Sequence, residues 1–396
     1  MSDAPVTGQR IREWRRYRGM PLKTLAGLSG LSAGYISMVE NGKRTIDRMS
    51  HLAAIAGALQ VSVRDLQAYP ETPVSPEHSA ALAQIPAIRA AMAEITLGTD
   101  RTPSCSLDQL RAELNMVKEW RAACDYGAVG RTLPGLLLEL EAYRSTAPDR
   151  VLPMLVEAWD VARSTLKYLG FIDLGVNAAE HAHRAALELG DPLWLGVAEF
   201  SLIHSLPPET RHHARVTSIR AADRLTPHLN DRSAQQVYGM LHLTAAWTYA
   251  LETNADRAQE HLDEATQIAQ QCGEDPHGGF GAMWFGPTNV EFWRAALAVE
   301  MGEGGRVREI ARRIRPEAVR SASRQTAFYI DLGRGLAAER RDSEAVAALS
   351  RAEQISPLRV RTSPAVRETV AALLRRDRQR QATRPLRRLA EAVGVF

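Results

Sequence analysis

Down the last two-thirds of this 396-residue chain, a small or apolar residue recurs with another four positions on and a third three positions later. The set occurs at Leu136/Leu140/Tyr143, Ala179/His183/Ala186, Ala214/Ser218/Ala221, Ala258/Leu262/Ala265, Val307/Ala311/Ile314 and Ala345/Leu349/Ala352. Successive starts lie 43, 35, 44, 49 and 38 residues apart, a loose period close to a helix pair with its loops. Any amphipathic helix supplies this spacing, because 3.6 residues per turn put such positions on one face. Its return at a near-regular interval points to stacked helix pairs, with an irregular helical bundle as the alternative. From Leu107 onward the chain reads helix after helix, with short Gly and Pro breaks.

Ahead of these repeats the signals are denser. Thr7 is placed to cap a helix that turns Ile11, Trp14 and Tyr17 inward, and Gly19 stops it. Pro21 suits the first turn of a second helix with Leu22, Leu25, Ala26 and Leu28, and Gly30 ends it. Ser32 is the N-cap candidate for a short third helix over 33–40, with Ile36 and Val39 inward and Asn41-Gly42 after it. Apolar spacing from Ile46 to Leu59 predicts a fourth helix, and Ser62 caps a fifth that ends near Leu66. Pro70, Pro73 and Pro76 then make a semi-rigid linker, followed by a helical segment around 78–97 and a break near Gly98–Pro103. The expected division is a head over 1–69, a Pro-rich linker with a connecting helix over 70–104, and a repeat body over 105–396. The expected class is all-α.

Charge follows that division. Residues 1–70 hold 10 Lys and Arg against 5 Asp and Glu, residues 71–305 hold 18 against 31, and residues 306–396 hold 21 against 10. A basic head on an acidic middle predicts an anionic partner for the head. The basic C-terminal stretch is ambiguous. Only four of the 49 basic residues are lysine, an arginine bias that a GC-rich genome also produces.

Composition excludes several classes. No run approaches the ~20 apolar residues of a membrane span, and the N-terminus lacks the apolar core of a secretory signal. Cys105, Cys124 and Cys272 show no CxxC spacing, which argues against a disulfide scaffold or a cysteine zinc site and fits a reduced cytoplasm. His212-His213 and the His181-x-His183 pair lack the spacing, with a carboxylate, of a zinc hydrolase, and the glycine motifs of nucleotide and acyl chemistry are missing. We therefore expect no catalytic residues, no metal, no cofactor and no membrane, and a cytoplasmic location.

The head carries a specific resemblance. Leu25-Ala26, Gly30-Leu31-Ser32, Tyr35-Ile36-Ser37 and Glu40-Asn41-Gly42-Lys43-Arg44, followed by Leu52, Ile55, Ala56, Leu59, Val61 and Leu66, resemble the phage-repressor (Xre-type) helix-turn-helix domain over residues 9–67. A short helix led by Ser32, Ala33, Gly34 and Tyr35 suits a major groove about 12 Å wide. The resemblance implies that Ser32, Ala33, Tyr35 and Ser37 face base edges or adjacent backbone, that Lys43 and Arg44 meet phosphate, and that Glu40 anchors the turn. Many members carry Gln where this chain has Leu22; Lys23 beside it is the candidate substitute for that phosphate contact.

The body carries a second. Tyr329, Leu332, Gly333, Leu336, Ala345, Leu349, Ala352 and Pro357 stand at the bulky, apolar, small and proline positions of a tetratricopeptide unit, which this stretch resembles. With Phe285-Gly286-Pro287-Thr288-Asn289-Val290, Glu300-x-Gly302 and Ile330-Asp331-Leu332-Gly333-Arg334, the chain is similar to actinobacterial regulators that join an Xre-type head to a tetratricopeptide sensor, and to the peptide-sensing regulators of Gram-positive bacteria. The resemblance implies a peptide or small-molecule effector in the concave face and a homodimer whose head spacing changes with it. In such units the first helix lines the concave face, which points to Leu243 and Trp247, then Asn289 and Phe292, then Ile330 and Arg334. The Asn289 amide both donates and accepts, Arg334 suits a carboxylate, and Trp247 and Phe292 offer stacking area. Trp284 and Phe285, beside Gly278-Gly279, form a candidate gate. Against this, an asparagine after Pro-Thr is often a helix cap and aromatics at helical spacing are usually core. The acidic balance of 71–305 points to a neutral or cationic effector, or simply keeps the body off DNA.

The reading is a sequence-specific transcriptional regulator that binds a double-stranded operator through its head and an effector through its body. Two rivals stand beside it: a tetratricopeptide scaffold with a vestigial head, and an antitoxin-like protein that acts through a protein partner.

Overall fold

The computed structural model describes residues 6–67, 73–98, 101–207, 210–377 and 383–395. Every regular element among them is helical. Pro70 and the rest of 68–72 lie outside the described residues, as do 99–100 in the second break.

Five helices make the head: α1 (Val6–Tyr17), α2 (Leu22–Ser29), α3 (Ala33–Glu40), α4 (Met49–Leu59) and α5 (Val63–Leu66). Gly30 ends α2 in the left-handed region at φ 69°. The Ser32 hydroxyl accepts from Tyr35 N, capping α3. Ser62 and Asp65 exchange hydrogen bonds as a capping box at α5. Ile11, Leu25, Ile36, Ile55, Leu59 and Leu66 are fully buried together.

The connecting segment is α6 (Pro76–Leu82) and α7 (Ile85–Leu97). Contrary to expectation, Pro76–Leu97 has the length and mean hydropathy of a membrane span, 22 residues at 1.2. The chain breaks at Ala83, however, and Ile85, Ile88, Ala91 and Met92 are buried in protein.

The body then stacks six helix pairs: α8/α9 (Leu107–Ala122, Tyr126–Ala142), α10/α11 (Pro148–Tyr168, Ile172–Leu189), α12/α13 (Pro192–Ile203, Arg211–Leu225), α14/α15 (Arg232–Leu251, Ala255–Cys272), α16/α17 (Pro287–Met301, Gly304–Arg313) and α18/α19 (Ala322–Ala338, Asp342–Ile355). Helices α20 (Pro357–Arg361), α21 (Pro364–Asp377) and α22 (Arg384–Val393) follow. All six recurring sets start on the second helix of a pair, and Ala179, Ala214, Ala258, Val307 and Ala345 are buried there. Close helix approach explains the small residues. A Cβ at Gly333 would stand 2.6 Å from Leu349 Cγ on the facing helix. The stack curls until α20 returns to α10, where Thr362 Oγ1 donates to the Tyr168 carbonyl at 3.4 Å across 194 residues.

The head is docked on this body through helix ends. Four amides at a helix N-terminus have no partner within the helix. At α4 the N-cap is Arg48, whose side chain supplies no bond. The buried Glu300 carboxylate of α16 does so instead, accepting from Met49 N at 2.9 Å and Ser50 N at 2.8 Å. Glu368 of α21 accepts from Thr7 N at 3.1 Å, Arg334 Nη2 donates to the Asp47 carbonyl at 2.6 Å, and Arg64 lies 3.7 Å from Asp173 of α11.

Candidate nucleic-acid interface and effector chamber

On the head, Lys23, Ser32, Lys43 and Arg44 are exposed, and Ala33 and Ser37 are half-buried. Gly34, Met38 and Asn41 extend the outward stripe of α3 at i, i+4 and i+7. Met38 and Asn41 escaped the sequence reading, although helical spacing from Gly34 was the signal that reaches them. The Asn41 amide donates to the Ser37 carbonyl at 2.8 Å and squares off the end of α3.

Tyr35 is placed elsewhere than the groove-facing expectation. It is 8% exposed, its hydroxyl meets His51 Nδ1 at 3.2 Å, and the Arg44 guanidinium lies over its ring at 4.9 Å. Burial, with Asp47 nearby, raises its phenol well above the ordinary value. The ring is part of the head core, edge-on to His51 of α4 at 5.3 Å. Glu40 is also buried, held by a two-pronged contact from Arg15 at 2.6 and 2.7 Å, and Arg15 Nη1 also donates to the Met20 carbonyl. That fork ties the end of α3 to α1 and to the turn before α2.

Lys43 and Arg44 open onto a cleft of about 960 Å³ between head and body, which Arg12, Arg334, Arg340 and Arg376 also line. Cations of both units thus face one space.

The eight effector candidates do not converge. Leu243 and Phe285 are core, with the Phe285 ring filling the place that a side chain at Gly239 would take. Phe292 stacks on Phe328 at 4.8 Å, also in the core. Asn289 is fully buried at the third position of α16, so it is not the cap; its amide points to Met240 Sδ at 3.6 Å and its Oδ1 has no partner. Trp284, at φ 59°, rests over Gly278 and packs against the Phe292 and Phe328 cluster, while Phe285 is buried in the main core. Arg334 is spent on Asp331 and on the head. Trp247 is half-buried and Ile330 is buried. Trp247 meets Trp293 edge-on at 6.5 Å, and Ile330 lines a small cavity.

That cavity, about 250 Å³, lies where α10, α18 and α20 meet, lined by Lys167, Tyr168, Ile330, Asp331, Arg359 and Ser363. The sequence reading missed it. Arg163 and Lys167 project from a helix buried on almost every other side, while Arg121, Arg324 and Arg359 arrive from α8, α18 and α20. Asp160 answers Arg163, at 2.9 and 2.7 Å, and accepts from Ser201. Burial works against its charge, but Arg163, Arg121 and the Ser201 hydrogen bond outweigh it and hold the carboxyl at about 2. The other cations use neutral partners. Lys167 donates to the His204 carbonyl at 2.7 Å, Arg324 to the Met283 carbonyl at 3.3 Å, and Arg359 to the Ser323 hydroxyl at 2.7 Å. Arg359 also covers the Tyr168 ring at 4.2 Å. Burial, reinforced by Arg163 and Arg359, pulls the Lys167 ammonium down to about 8. Burial also lowers Arg324, to about 10. For Tyr168 burial raises the phenol, but Arg359, Lys167, Arg324 and Arg163 prevail and bring it to about 8. His204 connects this cluster to an aromatic wall, 5.5 Å from Trp293 and 4.5 Å from Phe200.

Residues 7–68 match the family model described as a helix-turn-helix domain. A stretch of 71 residues is 38% identical to the uncharacterized HTH-type transcriptional regulator RghRB of Bacillus subtilis (strain 168), covering 16% of this chain and 51% of that protein. Another of 61 residues is 33% identical to the HTH-type transcriptional regulator SinR of the same organism, covering 15% of this chain and 55% of that one. The chain thus spans about half the length of the curated relatives it matches. Residues 7–68 are a helix-turn-helix domain of the class found in these regulators. Among solved structures, PlcR of Bacillus thuringiensis in complex with the peptide PapR7 and DNA aligns over 68% of this chain and 95% of its own, at 12% identity and a TM-score of 0.26. The apo form of ComR from S. thermophilus aligns over 67% and 94%, at 16% identity and a TM-score of 0.21. Superpositions that loose carry no argument about this chain.

Proposed function

We propose that this protein is a sequence-specific, DNA-binding transcriptional regulator whose helical body senses a peptide or small-molecule effector. The observation that carries this reading is the head: a helix-turn-helix match over 7–68, folded so that α3 shows Gly34, Met38 and Asn41 outward with Lys43 and Arg44 exposed beside it. Helix α3 enters the major groove, with Ser32, Ala33 and Ser37 at base edges or the adjoining backbone. Lys23, Lys43 and Arg44 take phosphate, which sets register and salt dependence rather than sequence. One head buries too little surface for tight specific binding, so the working species is a homodimer reading half-sites about 34 Å apart or a multiple of it. The body works as a stack of helix pairs in the cytoplasm, without catalysis or cofactor.

The test is selection of bound fragments from the source genome by the purified chain, with affinities titrated against salt. A two-fold-symmetric motif preferred by about 10³ or more over random DNA is expected. Binding without preference that fades steeply with salt refutes operator recognition.

A further inference from the structure

We propose that the chamber where α10, α18 and α20 meet is an anion-binding site, in which Lys167 and Arg359 take the carboxylate or phosphate group of a small ligand. The inference rests on the reading of the body as an effector sensor, and it gives that effector a charge. It reverses the expectation of a neutral or cationic ligand drawn from the acidic balance of 71–305, because the average charge of a stretch does not report which residues its fold turns inward.

The argument starts from imbalance. Five cations, Arg121, Arg163, Lys167, Arg324 and Arg359, gather here against two carboxylates, Asp160, which Arg163 takes, and Asp331 in the cavity wall, which Arg334 takes. Among the described residues, no carboxylate lies within ion-pair distance of Lys167, Arg324 or Arg359, whose bonds go to neutral oxygens. Half-buried like charges repel and lose part of their hydration, so an arrangement of this kind is poor as a structural device. It is well suited to a ligand that brings the missing negative charge. The local field is positive enough to draw the Tyr168 phenol down to about 8 despite its burial.

Geometry supplies the rest. The cavity of about 250 Å³ gives room for a charged end group and a few further atoms; it falls below the ~300–1,000 Å³ of sites that enclose a drug-sized molecule. Donors remain for an incoming group. An ammonium has three protons and a guanidinium five, whereas one bond from Lys167 and those to Ser323 from Arg359 are taken within the protein. Ser363 adds a hydroxyl at the wall. From His204, whose carbonyl Lys167 meets, a chain of ring contacts runs to Phe200 and through Trp293 to Trp247. Arg121 Nε is buried without a hydrogen-bond partner.

The test uses the full chain and thermal unfolding at fixed ionic strength. Sodium chloride is compared with sodium phosphate, with N-acetyl-phenylalanine and with its uncharged amide. We expect Tm to rise by about 2 °C or more at saturating anion. A rise with phosphate alone identifies a phosphate ester, and a rise with the acid but not the amide identifies a carboxylate. Lys167→Met and Arg359→Gln should each cancel the rise. Lys167→Met should also lift Tm without anion, because it relieves repulsion; a merely structural lysine would lower it. If Arg359→Gln fails to fold, Lys167→Met decides alone. No anion-specific rise, or an unchanged rise in Lys167→Met, overturns the proposal. Binding to the selected DNA separates the two readings. An anion that stabilises the chain without altering DNA affinity keeps the site and removes the sensor, whereas a DNA response to another effector with no anion effect does the reverse.

Discussion

Head and body handle charge in opposite ways. The head keeps an apolar centre of Ile11, Leu25, Ile36, Ile55, Leu59 and Leu66; its buried Glu40 is matched by both prongs of Arg15, and Lys23, Lys43 and Arg44 stay in water. The body buries Arg163 and half-buries Lys167, Arg324 and Arg359, and matches only the first with a carboxylate. A charge in water acts at long range on a polyanion at little cost to the fold. A charge held inside acts on whatever small group can reach it, and its neighbours must support it meanwhile. The difference separates the two candidate surfaces better than total charge does.

The largest effect should come from removing the carboxylate that Arg163 holds. Asp160→Ala leaves Arg163 buried and unpaired, and should cost about 3–5 kcal/mol in urea unfolding. Adding Arg163→Met should recover much of that loss, since the pair goes together. The matching change in the head, Tyr35→Ala, should cost about 3 kcal/mol through lost packing, with no single partner whose removal restores it. Equal rescue in both cases would erase the distinction.

Acid sharpens it next. His181 stacks on Trp159 at 4.3 Å with its Nε2 unpartnered, and burial, helped by Arg184 and Arg144, lowers it to about 4. The unfolded imidazole titrates near 6.5. Between those values the unfolded chain binds a proton that the folded chain refuses, so stability should fall as pH drops from 6.5 to 4 and level off below. His181 alone contributes on the order of 3 kcal/mol to that fall. His181→Phe should flatten the profile and leave stability at pH 7 unharmed.

How much of this was legible depends on how far apart in the chain the causes lie. Gly30, Ser32 and Ser62 punctuate the head through neighbours a few residues away, so the ends of α2, α3 and α5 follow from the sequence. The fourth helix reads as starting at Ile46 but begins at Met49, because the acceptor for its first amides is Glu300, about 250 residues on. In the body the recurring small residues locate the second helix of every pair. The inner face of the first helix resists the same treatment. Helix α14 is buried on nearly all sides, and burial periodicity then cannot tell a lumen from a core, which is why Leu243 looked available. The cationic chamber needs α20 to return to α10, and nothing local in either segment announces it.

The docking contact joins the two regions and tests a middle scale. Glu300 is buried; that raises its carboxyl, while the Ser50 and Met49 amides and Arg334 pull the other way. Glu300→Ala strips the acceptor from the start of α4 and should cost about 1–3 kcal/mol, read as faster hydrogen exchange at Met49 and Ser50 with the α10/α11 pair unaffected. Glu300→Gln, which keeps one carbonyl oxygen, should lose less. Exchange that rises equally throughout the body would mean that head and body unfold as one unit.

The smallest effect on the fold should accompany the clearest effect on DNA. Lys43→Ala and Arg44→Ala remove exposed charges and should change stability by no more than about 0.5 kcal/mol. Each should reduce the slope of log affinity against log salt by about 1 and weaken binding evenly across sequences. Ser37→Ala should instead narrow the preference for the operator, since its hydroxyl lies on the half-buried edge of α3. Arg44 carries one complication, because it also covers the Tyr35 ring. Lys43→Ala has no such role and isolates the phosphate contribution. If Lys43→Ala altered base preference at an unchanged salt slope, the exposed charges of the head would be readers of sequence, and the contrast with the interior charges of the body would have to be drawn on other ground.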